Sequence, residues 1–209
     1  MNRFVIGDIH GAHLALKDVL TKSKFDFEND LLIILGDVVD GNSGTRQCIQ
    51  KLLKIKNKIF VLGNHDLWFK QFLKGDDPGY IWNLQGGEQT LNSYSYDPVY
   101  PSDIPKSHHE FFQSGVPYVV LDEKLFVHGG FNPKVPIYKQ ETYDLCWNRT
   151  LWEKLVHSKK PRAVPGYEEV FIGHTAHKKL GAWNIANVWN MDTGAGWGGM
   201  LCLMNIDSK

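Results

Sequence analysis

Short apolar runs that end in glycine recur through the first third of the chain. Arg3–Ile6, Leu31–Leu35 and Lys58–Leu62 each have the length of a strand, and each is followed by a glycine and a polar side chain. The run Leu31–Leu35 has five aliphatic residues without polar alternation, which is typical of a strand buried on both faces. The pattern therefore predicts three buried strands, each ending in a sharp turn.

Amphipathic segments lie between these apolar runs. Apolar residues at helical spacing predict one helix from Ala12 to about Lys22 and another from about Thr45 to Lys54. Strands that alternate with helices are typical of βαβ units and of a largely parallel sheet. The carboxyl ends of such strands meet at one edge, which is where open α/β sheets bind ligands.

The second half of the chain predicts a further set of strands. A hairpin is predicted from Pro117–Leu121 and Lys124–Val127, a helix from Leu145 to about His157, and a strand at Val170–Ile172. Three antiparallel strands are predicted to close the chain, with a glycine-rich loop between the last two: Trp183–Ile185, Val188–Met191, Gly194–Gly199 and Met200–Ile206.

Periodicity weakens between these halves, from Gly75 to Ser107, where Gly, Pro, Asp, Ser, Tyr and Trp accumulate. This composition predicts a loop-rich insertion, residues 75–107, with one or two short helices. The insertion is either a surface loop or a cap that selects substrates above a site. The chain has 209 residues, 43% of them hydrophobic, which predicts a single domain over residues 1–209 that carries the insertion.

Composition limits the kinds of partner and the cellular compartment that we expect for the protein. Lys+Arg and Asp+Glu number 23 each, so no basic surface for nucleic acid is expected. No apolar run approaches the roughly 18–20 residues of a membrane span, and Asp8 and His10 interrupt any signal peptide. The three cysteines are widely spaced without a CxxC pair, which predicts reduced thiols. We expect a cytoplasmic monomer that binds neither membranes nor nucleic acid.

Metal-binding side chains follow five predicted strand ends, with a glycine within one or two residues of each: Asp8 and His10, Asp37 and Asp40, Asn64 and His65, His128, and His174. Each one alone is more often a helix cap or a structural residue. Carboxylates gathered at one edge repel each other unless cations bind there, and mixed Asp/His/Asn ligands suit Mn, Fe or Zn. A carboxylate shared by two metals serves phosphoryl transfer, and Asp37 is the candidate bridge.

Five motifs in this order resemble those of the calcineurin-like metallophosphoesterases. They span residues 7–175: Gly7-Asp8-Ile9-His10-Gly11, Gly36-Asp37-Val38-Val39-Asp40-Gly41, Gly63-Asn64-His65-Asp66, Val127-His128-Gly129-Gly130 and Gly173-His174-Thr175. Within this family the chain is most similar to the phosphoprotein phosphatase branch, and there to the small bacterial and phage (lambda-type) serine/threonine protein phosphatases. The resemblance implies a mixed α/β fold in which two mixed β-sheets pack as a sandwich flanked by helices.

The resemblance also implies a role for each motif residue. Two divalent metal ions are expected, with Mn favoured over Fe or Zn and a bridging hydroxide as the nucleophile on the phosphate. The first metal would be held by Asp8, His10 and Asp37, and the second by Asp37, Asn64, His128 and His174. His65, oriented by Asp40, would protonate the leaving oxygen. Chemistry supports this role, because an alkoxide leaving group needs a proton and a histidine fixed by a carboxylate can donate it.

Two arginines are candidates for binding phosphate. Trp147-Asn148-Arg149 is similar to a motif that supplies a phosphate-binding arginine in the phage-type enzymes, and guanidinium geometry suits phosphate oxygens. Those enzymes usually have Asp-Arg-Gly where this chain has Asp40-Gly41-Asn42, so one arginine is absent in register. Arg46 is an alternative, although it falls in a predicted helix. Trp197 in the glycine-rich loop is a candidate substrate-facing aromatic.

Several functions remain open on sequence alone. The leading hypothesis is a phosphomonoesterase acting on phosphoproteins, at phospho-Ser/Thr and also at phospho-Tyr, or on small phosphoesters. Symmetrical diadenosine tetraphosphate hydrolases are similar and favour Gly-Asn-His-Asp, as here at Asp66, but they usually have a small residue where this chain has Asp40. A cyclic-nucleotide phosphodiesterase is a further alternative. A non-enzymatic binding module is disfavoured, because every implied ligand and His65 are present.

Overall fold

The computed structural model describes residues 1–94, 98–177 and 179–208. Its strands are β1 (Arg3–Ile6), β2 (Leu31–Ile34), β3 (Asn57–Phe60), β4 (Tyr118–Leu121), β5 (Lys124–Val127), β6 (Glu169–Ile172), β7 (Trp183–Ile185), β8 (Val188–Asn190) and β9 (Leu203–Asn205). Its helices are α1 (His13–Lys22), α2 (Thr45–Leu52), α3 (Asn64–Leu73), α4 (Tyr80–Trp82), α5 (Glu88–Asn92), α6 (Lys106–Gln113), α7 (Thr142–Trp147) and α8 (Thr150–His157).

These strands form two mixed sheets. The first has the order β3-β2-β1-β9, with β1, β2 and β3 parallel and β9 antiparallel to β1. The second has the order β4-β5-β6-β8-β7, in which β5, β6 and β8 are parallel and the two edge strands are antiparallel. The prediction of two mixed sheets flanked by helices is confirmed.

The facing surfaces of the sheets form the central layer of the core. Val5 and Ile33 of the first sheet belong to one buried cluster with Phe126 and Phe171 of the second. The two phenylalanine rings stack with their centroids 4.9 Å apart. Because both faces of each central strand are covered, these strands carry apolar side chains at every position, as predicted for Leu31–Leu35.

The outer faces of the sheets are covered by helices. Ile34, which alternates with Ile33 along β2, clusters with Leu16 of α1 and Ile49 of α2. On the other side, Val127 of β5 clusters with Trp152 of α8. The helices therefore lie outside the sandwich and leave the carboxyl ends of the parallel strands free for the loops that follow them.

The helix predicted from Leu145 to about His157 is interrupted in the structure. It divides into α7 and α8, because Asn148 adopts an extended backbone with φ −71° and ψ 118°. The side-chain oxygen of Asn148 accepts a hydrogen bond of 3.4 Å from the backbone N–H of Leu151, one of the unpaired donors in the first turn of α8. The interruption turns Arg149 toward the strand-end loops.

The predicted closing strands Val188–Met191 and Met200–Ile206 do not pair with each other. The first contains β8, which is antiparallel to β7 and parallel to β6, whereas the second contains β9, which pairs with β1 in the other sheet. The glycine-rich loop Gly194–Gly199 thus lies on the connection that crosses from one sheet to the other. Periodicity predicts a strand but does not identify its neighbour.

The 75–107 insertion contains α4, a π-helical turn at Asn83–Gly87, α5, a 3₁₀ turn at Pro101–Asp103 and the start of α6, while its residues 95–97 lie outside the described part. Trp82 and Tyr94 of the insertion are buried in the same cluster as α1 and α2. In the described ranges, no helix has the length and apolar content that a membrane crossing requires.

A close backbone contact joins the insertion to the loop after β2. Gly86 has φ 103°, and a Cβ added there would lie 2.2 Å from the backbone nitrogen of Gly41. Any side chain at this position would both strain the backbone and push the two segments apart. The approach of the insertion to Gly41 therefore depends on glycine.

Gly86→Ala should destabilise the fold more than the matched substitution Gly75→Ala. Gly75 also has a positive φ, 87°, but an added Cβ meets nothing within 4 Å. We expect Gly75→Ala to lower the free energy of unfolding by about 1–2 kcal/mol through backbone strain, and Gly86→Ala by about 2–4 kcal/mol because overpacking adds to that strain. Urea denaturation measures both values, and equal losses would contradict the close contact.

Candidate metal centre

The loops after β1 and β2 are joined through the backbone of Asp37. Its carbonyl oxygen accepts hydrogen bonds from the N–H groups of Ile9, at 3.0 Å, and His10, at 2.8 Å. The N–H of Gly11 donates to the carbonyl of Val38 at 3.0 Å. Two of the five predicted motifs are thereby held side by side at the carboxyl edge of the first sheet.

The carboxylate of Asp37 reaches two further motifs. Its Oδ1 accepts a hydrogen bond of 3.0 Å from the backbone N–H of His65. Its Oδ2 lies 3.3 Å from His128 Nε2 and 3.6 Å from His10 Nε2. One oxygen of Asp37 therefore lies between imidazoles that belong to different sheets.

Backbone carbonyls fix the orientation of both imidazoles. His10 Nδ1 lies 3.0 Å from the carbonyl oxygen of Val39, and His128 Nδ1 lies 2.6 Å from that of Leu35. When Nδ1–H donates to these carbonyls, the Nε2 lone pairs face Asp37. A backbone hydrogen bond on one ring nitrogen and a free lone pair on the other is the arrangement found in metal-ligating histidines.

Two buried groups of donor atoms share Asp37. One contains His10, Asp37 and His65, and the other contains Asp37, His128 and His174, with the donor atoms of each group within 4.8 Å of one another. Asn64 Oδ1 lies 3.1 Å from His128 Nε2 and so adjoins the second group. The six residues predicted as ligands are all buried: Asp8, His10, Asp37, Asn64, His128 and His174.

Asp8 supplies an oxygen that needs a partner. Its Oδ2 accepts a hydrogen bond of 3.0 Å from the backbone N–H of His174, whereas its buried Oδ1 has no hydrogen-bond partner among the residues that the structure describes. Gly173 permits this approach, because a Cβ there would lie 2.1 Å from Asp8 Oδ1. A buried carboxylate oxygen without a donor is costly, and a cation would satisfy it.

Charges in the cluster are strongly coupled. Burial alone would raise the pKa of Asp37, but His128, His65 and His10 hold it well below its ordinary value. Burial would lower the pKa of His128, yet Asp37 outweighs it and raises that pKa to about 10. For His174, burial followed by repulsion from His128 lowers the pKa to about 3. The pKa values of neighbouring imidazoles therefore shift in opposite directions, because the charges of His128 and His174 are coupled.

Four residues of the site have a left-handed backbone: His10 with φ 47°, Asp37 with φ 47°, Asp40 with φ 68° and His174 with φ 64°. This conformation costs roughly 1–2 kcal/mol for each residue other than glycine. Strain of this kind persists where surrounding hydrogen bonds over-determine the backbone, and it clusters at functional sites. Here it turns the side chains at the strand ends toward a common centre.

His65 and Asp40 form a short hydrogen-bonded pair. His65 Nδ1 lies 2.6 Å from Asp40 Oδ2, and both residues are buried. Burial would lower the pKa of His65, but Asp37 and then Asp40 outweigh it and raise that pKa above its ordinary value. The ring contacts that of His10 edge to face, with centroids 4.8 Å apart. An imidazole whose cationic form is stabilised by Asp37 and Asp40 therefore lies at the edge of the candidate metal centre.

The remaining predicted residues lie at different distances from the centre. Arg149 Nε donates a hydrogen bond of 3.0 Å to His174 Nε2, so its guanidinium borders the second group of donors. Arg46 lies in the first turn of α2, and its charge acts on Tyr94 of the insertion and on His108 of α6. Trp197 is 60% exposed, with its ring centroid 5.9 Å from that of His10.

A cavity of about 380 Å³ opens beside the exposed ring of Trp197. Thr193, Met200 and Leu180 also line it. Because the ring of Trp197 lies against that of His10, one side chain separates the cavity from the candidate metal centre. It offers a partly apolar surface beside Trp197.

Two buried carboxylates of the site were not predicted. Asp66 accepts hydrogen bonds from the backbone N–H groups of Asp37, at 2.7 Å, of Gly63, at 2.8 Å, and of Val38, at 3.0 Å, and so fixes both loops. Asp192 follows β8, and its charge contributes to raising the pKa of Asp8, second to burial. Asp192 also follows a strand and has a glycine two residues further on, so the same sequence pattern could have identified it.

These features fit divalent cations. The donor set combines carboxylate, imidazole and amide groups, Asp8 Oδ1 has no donor among the described residues, and the histidines are oriented by backbone carbonyls. Asp37, at the junction of the two groups, could contribute to both. The geometry defines the class of site: a buried set of metal-ligand donors in two groups that share Asp37, with the His65–Asp40 pair at its edge.

Comparison with known proteins agrees with this class. Residues 1–197 match the family model of the calcineurin-like phosphoesterases, and the chain belongs to that family. The resemblance predicted from the five motifs is thereby confirmed. Members of this family are metal-dependent phosphoesterases, so the chain is a hydrolase-type phosphoesterase with divalent metals as its cofactors.

Individual relatives differ in substrate. Serine/threonine-protein phosphatase 1 of Salmonella typhimurium is 25% identical over 208 residues, which cover 97% of this chain and 91% of that protein. A symmetrical bis(5'-nucleosyl)-tetraphosphatase of Wigglesworthia glossinidia brevipalpis is 35% identical over 68 residues, 32% of this chain and 25% of that protein. The solved structure of a protein provisionally assigned as a diadenosine tetraphosphatase has a TM-score of 0.71 and 19% identity, with coverage of 97% of this chain and 87% of that chain.

Asp37→Asn should reduce the metal content of the purified protein. The substitution removes the negative charge that both donor groups share, so we expect bound metal to fall to about one ion per chain or fewer. Elemental analysis after equilibration with Mn²⁺ measures this directly. Asp76→Asn, at an exposed position of the insertion, is the control and should retain the wild-type content. Unchanged metal content in Asp37→Asn would contradict a shared carboxylate.

Proposed function

We propose that the protein is a metal-dependent phosphomonoesterase whose substrates are phosphoproteins, with phospho-Ser and phospho-Thr preferred and phospho-Tyr also accepted. The observation that carries this proposal is the His65–Asp40 pair, 2.6 Å apart, at the edge of two donor groups that share Asp37. The similarity to the Salmonella serine/threonine-protein phosphatase along 97% of the chain supports it.

The two donor groups, the neighbouring Asn64 and the unpaired oxygen of Asp8 support the ligand set that we propose. One cation would be held by Asp8, His10 and Asp37, and the other by Asp37 with Asn64, His128 and His174. When bound, such a pair of cations neutralises charge on the phosphate and activates water for attack. We propose Mn²⁺ for both positions, with Fe and Zn as the alternatives, because the donors mix carboxylate, amide and imidazole.

In this reaction His65 supplies the proton that the leaving oxygen requires. Its Nδ1 is bound to Asp40, so Nε2 is the atom that can donate. The carboxylate keeps the ring in one orientation and stabilises its cationic form. A serine or threonine alkoxide is a poor leaving group, so an acid of this kind matters most for phosphomonoesters of those residues.

Arg149 is the proposed clamp for the phosphate. Its guanidinium can present two N–H donors to two phosphate oxygens, as lysine cannot. Two features support the assignment. Arg149 donates a hydrogen bond to His174, and it lies at the break between α7 and α8. The leaving group would then extend over the cavity beside Trp197, which has room for a peptide side chain.

Hydrolysis of diadenosine tetraphosphate is the second candidate function. The Wigglesworthia relative and the structure with a TM-score of 0.71 support it, although the first matches only 32% of this chain and the second shares the fold. Asp40 supports the phosphatase instead, because it completes the acid pair that a poor leaving group requires. Cyclic-nucleotide phosphodiesterase activity is a third candidate that the same donor set would serve.

We also propose a cytoplasmic monomer that does not bind nucleic acid. Free thiols at all three cysteines support a reducing compartment: Cys48 and Cys146 are buried and Cys202 is partly buried. The equal numbers of acidic and basic residues support a partner recognised at the site and not by bulk charge.

A side-by-side substrate assay tests the proposal. With Mn²⁺ present, we expect kcat/KM for a phosphoserine peptide to exceed that for diadenosine tetraphosphate and for a 2',3'-cyclic nucleotide by about tenfold or more, because the acid pair suits an alkoxide leaving group. Release of inorganic phosphate or of mononucleotide measures each rate. A preference for either nucleotide would replace the phosphatase by the corresponding alternative.

His65→Asn should separate phosphate esters by leaving group. We expect kcat for the phosphoserine peptide to fall about 10²–10⁴-fold, and kcat for p-nitrophenyl phosphate to fall far less, because nitrophenolate leaves without a proton. His157→Asn, an exposed histidine of α8, is the control and should match the wild type on both substrates. Equal losses on both esters would exclude His65 as the general acid.

A further inference from the structure

The carboxylate of Asp40 is enclosed by the insertion. Thr90 Oγ1 of α5 donates a hydrogen bond of 2.8 Å to Asp40 Oδ1. Trp82 Nε1 of α4 lies 3.1 Å from Asp40 Oδ2 and 3.2 Å from Oδ1. All three side chains are buried. With the bond from His65, both oxygens of Asp40 therefore accept from defined donors.

The hydroxyl of Thr90 makes a bond that few other groups could make. It donates to the Asp40 carboxylate and also accepts a hydrogen bond of 2.7 Å from the Asp40 backbone N–H. Only a side chain that is both donor and acceptor can close this pair of contacts. Thr45 Oγ1, 3.3 Å away, is its remaining polar neighbour in the hydrogen-bond network.

These contacts restrain Asp40 in two ways. The carboxylate cannot rotate about its Cβ–Cγ bond without losing Thr90, Trp82 or His65, and a buried unpaired oxygen is costly. The backbone, strained at φ 68°, is held by the bond from its own N–H to Thr90. The direction in which Asp40 Oδ2 meets His65 Nδ1 is thus set by residues 42 and 50 positions further along the chain.

Two glycines of the insertion allow Trp82 and Thr90 to reach Asp40. Gly86 touches the backbone of Gly41, next to Asp40, and a Cβ at Gly87 would lie 2.6 Å from the indole of Trp82. The turn between α4 and α5 consequently brings Trp82 and Thr90 against the same carboxylate. Packing of the insertion alone requires neither an indole N–H nor a hydroxyl aimed at Asp40.

We infer that Thr90 and Trp82 are positioning residues for the general acid, which they align through Asp40. The inference rests on the proposed role of His65 as the acid that protonates the leaving oxygen. It assigns to the insertion a part in proton transfer, distinct from the surface-loop and substrate-cap interpretations. Loss of either donor should therefore slow the esters that need a proton and spare those that do not.

Thr90→Val tests this inference, because valine keeps the shape of the side chain and removes the hydroxyl. We expect kcat for the phosphoserine peptide to fall roughly tenfold or more, while kcat for p-nitrophenyl phosphate changes by less than about threefold. Thr90→Ser restores the hydroxyl and should recover the peptide rate. Thr45→Val removes a hydroxyl from the same network without touching Asp40, and should show no selectivity between the two esters.

Trp82→Phe provides a second test if Thr90→Val does not fold. It keeps a ring in the buried cluster, removes the N–H, and should show the same selective loss on the peptide. Equal losses on both esters, wild-type rates on both, or no rescue by Thr90→Ser would overturn the inference.

His65→Asn on the same substrates separates this inference from the proposed function. If His65→Asn is selective and both Thr90→Val and Trp82→Phe are not, only the positioning role fails. If His65→Asn shows no selectivity, the acid and the positioning role fail together. Urea denaturation of each variant identifies a loss of rate that comes from unfolding.

Discussion

Asp37 holds together segments that are far apart in sequence, and the geometry of the site depends on it. Its carbonyl binds the loop after β1, its N–H binds Asp66, and its carboxylate meets the N–H of His65 and the imidazole of His128. A buried carboxylate is stable only when it is fully paired. The contacts of Asp37 therefore link the strand ends of the two sheets.

The fold is well predicted from sequence wherever the residues of a strand show by themselves how the strand is buried. Leu31–Leu35 is apolar throughout because both faces are covered, and β2 is found at Leu31–Ile34. Parallel strands also share an edge for their carboxyl ends, so the motif residues after them could be expected to converge. The strand ends alone therefore identify all six ligand candidates and His65, although they give no distances between them.

Contacts between distant segments are what sequence patterns could not provide. Nothing local to Leu203–Asn205 indicates that β9 joins β1 and not β8, and nothing local to Asn148 shows that its extended backbone and its side chain interrupt a helix. From sequence, Thr90 and Trp82 look like ordinary residues of a loop-rich segment. Their hydrogen-bond partner Asp40 lies 50 and 42 positions away, so no local pattern indicates the contact. Such pairings are decided by tertiary packing, which periodicity does not encode.

Gly41 stands where the phage-type enzymes usually have an arginine, and its backbone also contacts Gly86 of the insertion. Its φ is 77°, and a Cβ there would lie 3.1 Å from His10 Cβ and 3.2 Å from the carbonyl oxygen of Gly196. A larger residue would be strained and would press on His10 and on the glycine-rich loop at Gly196. The backbone at position 41 therefore favours glycine over an arginine. The arginine that we propose for phosphate binding is accordingly Arg149, whose Nε donates a hydrogen bond to the candidate ligand His174.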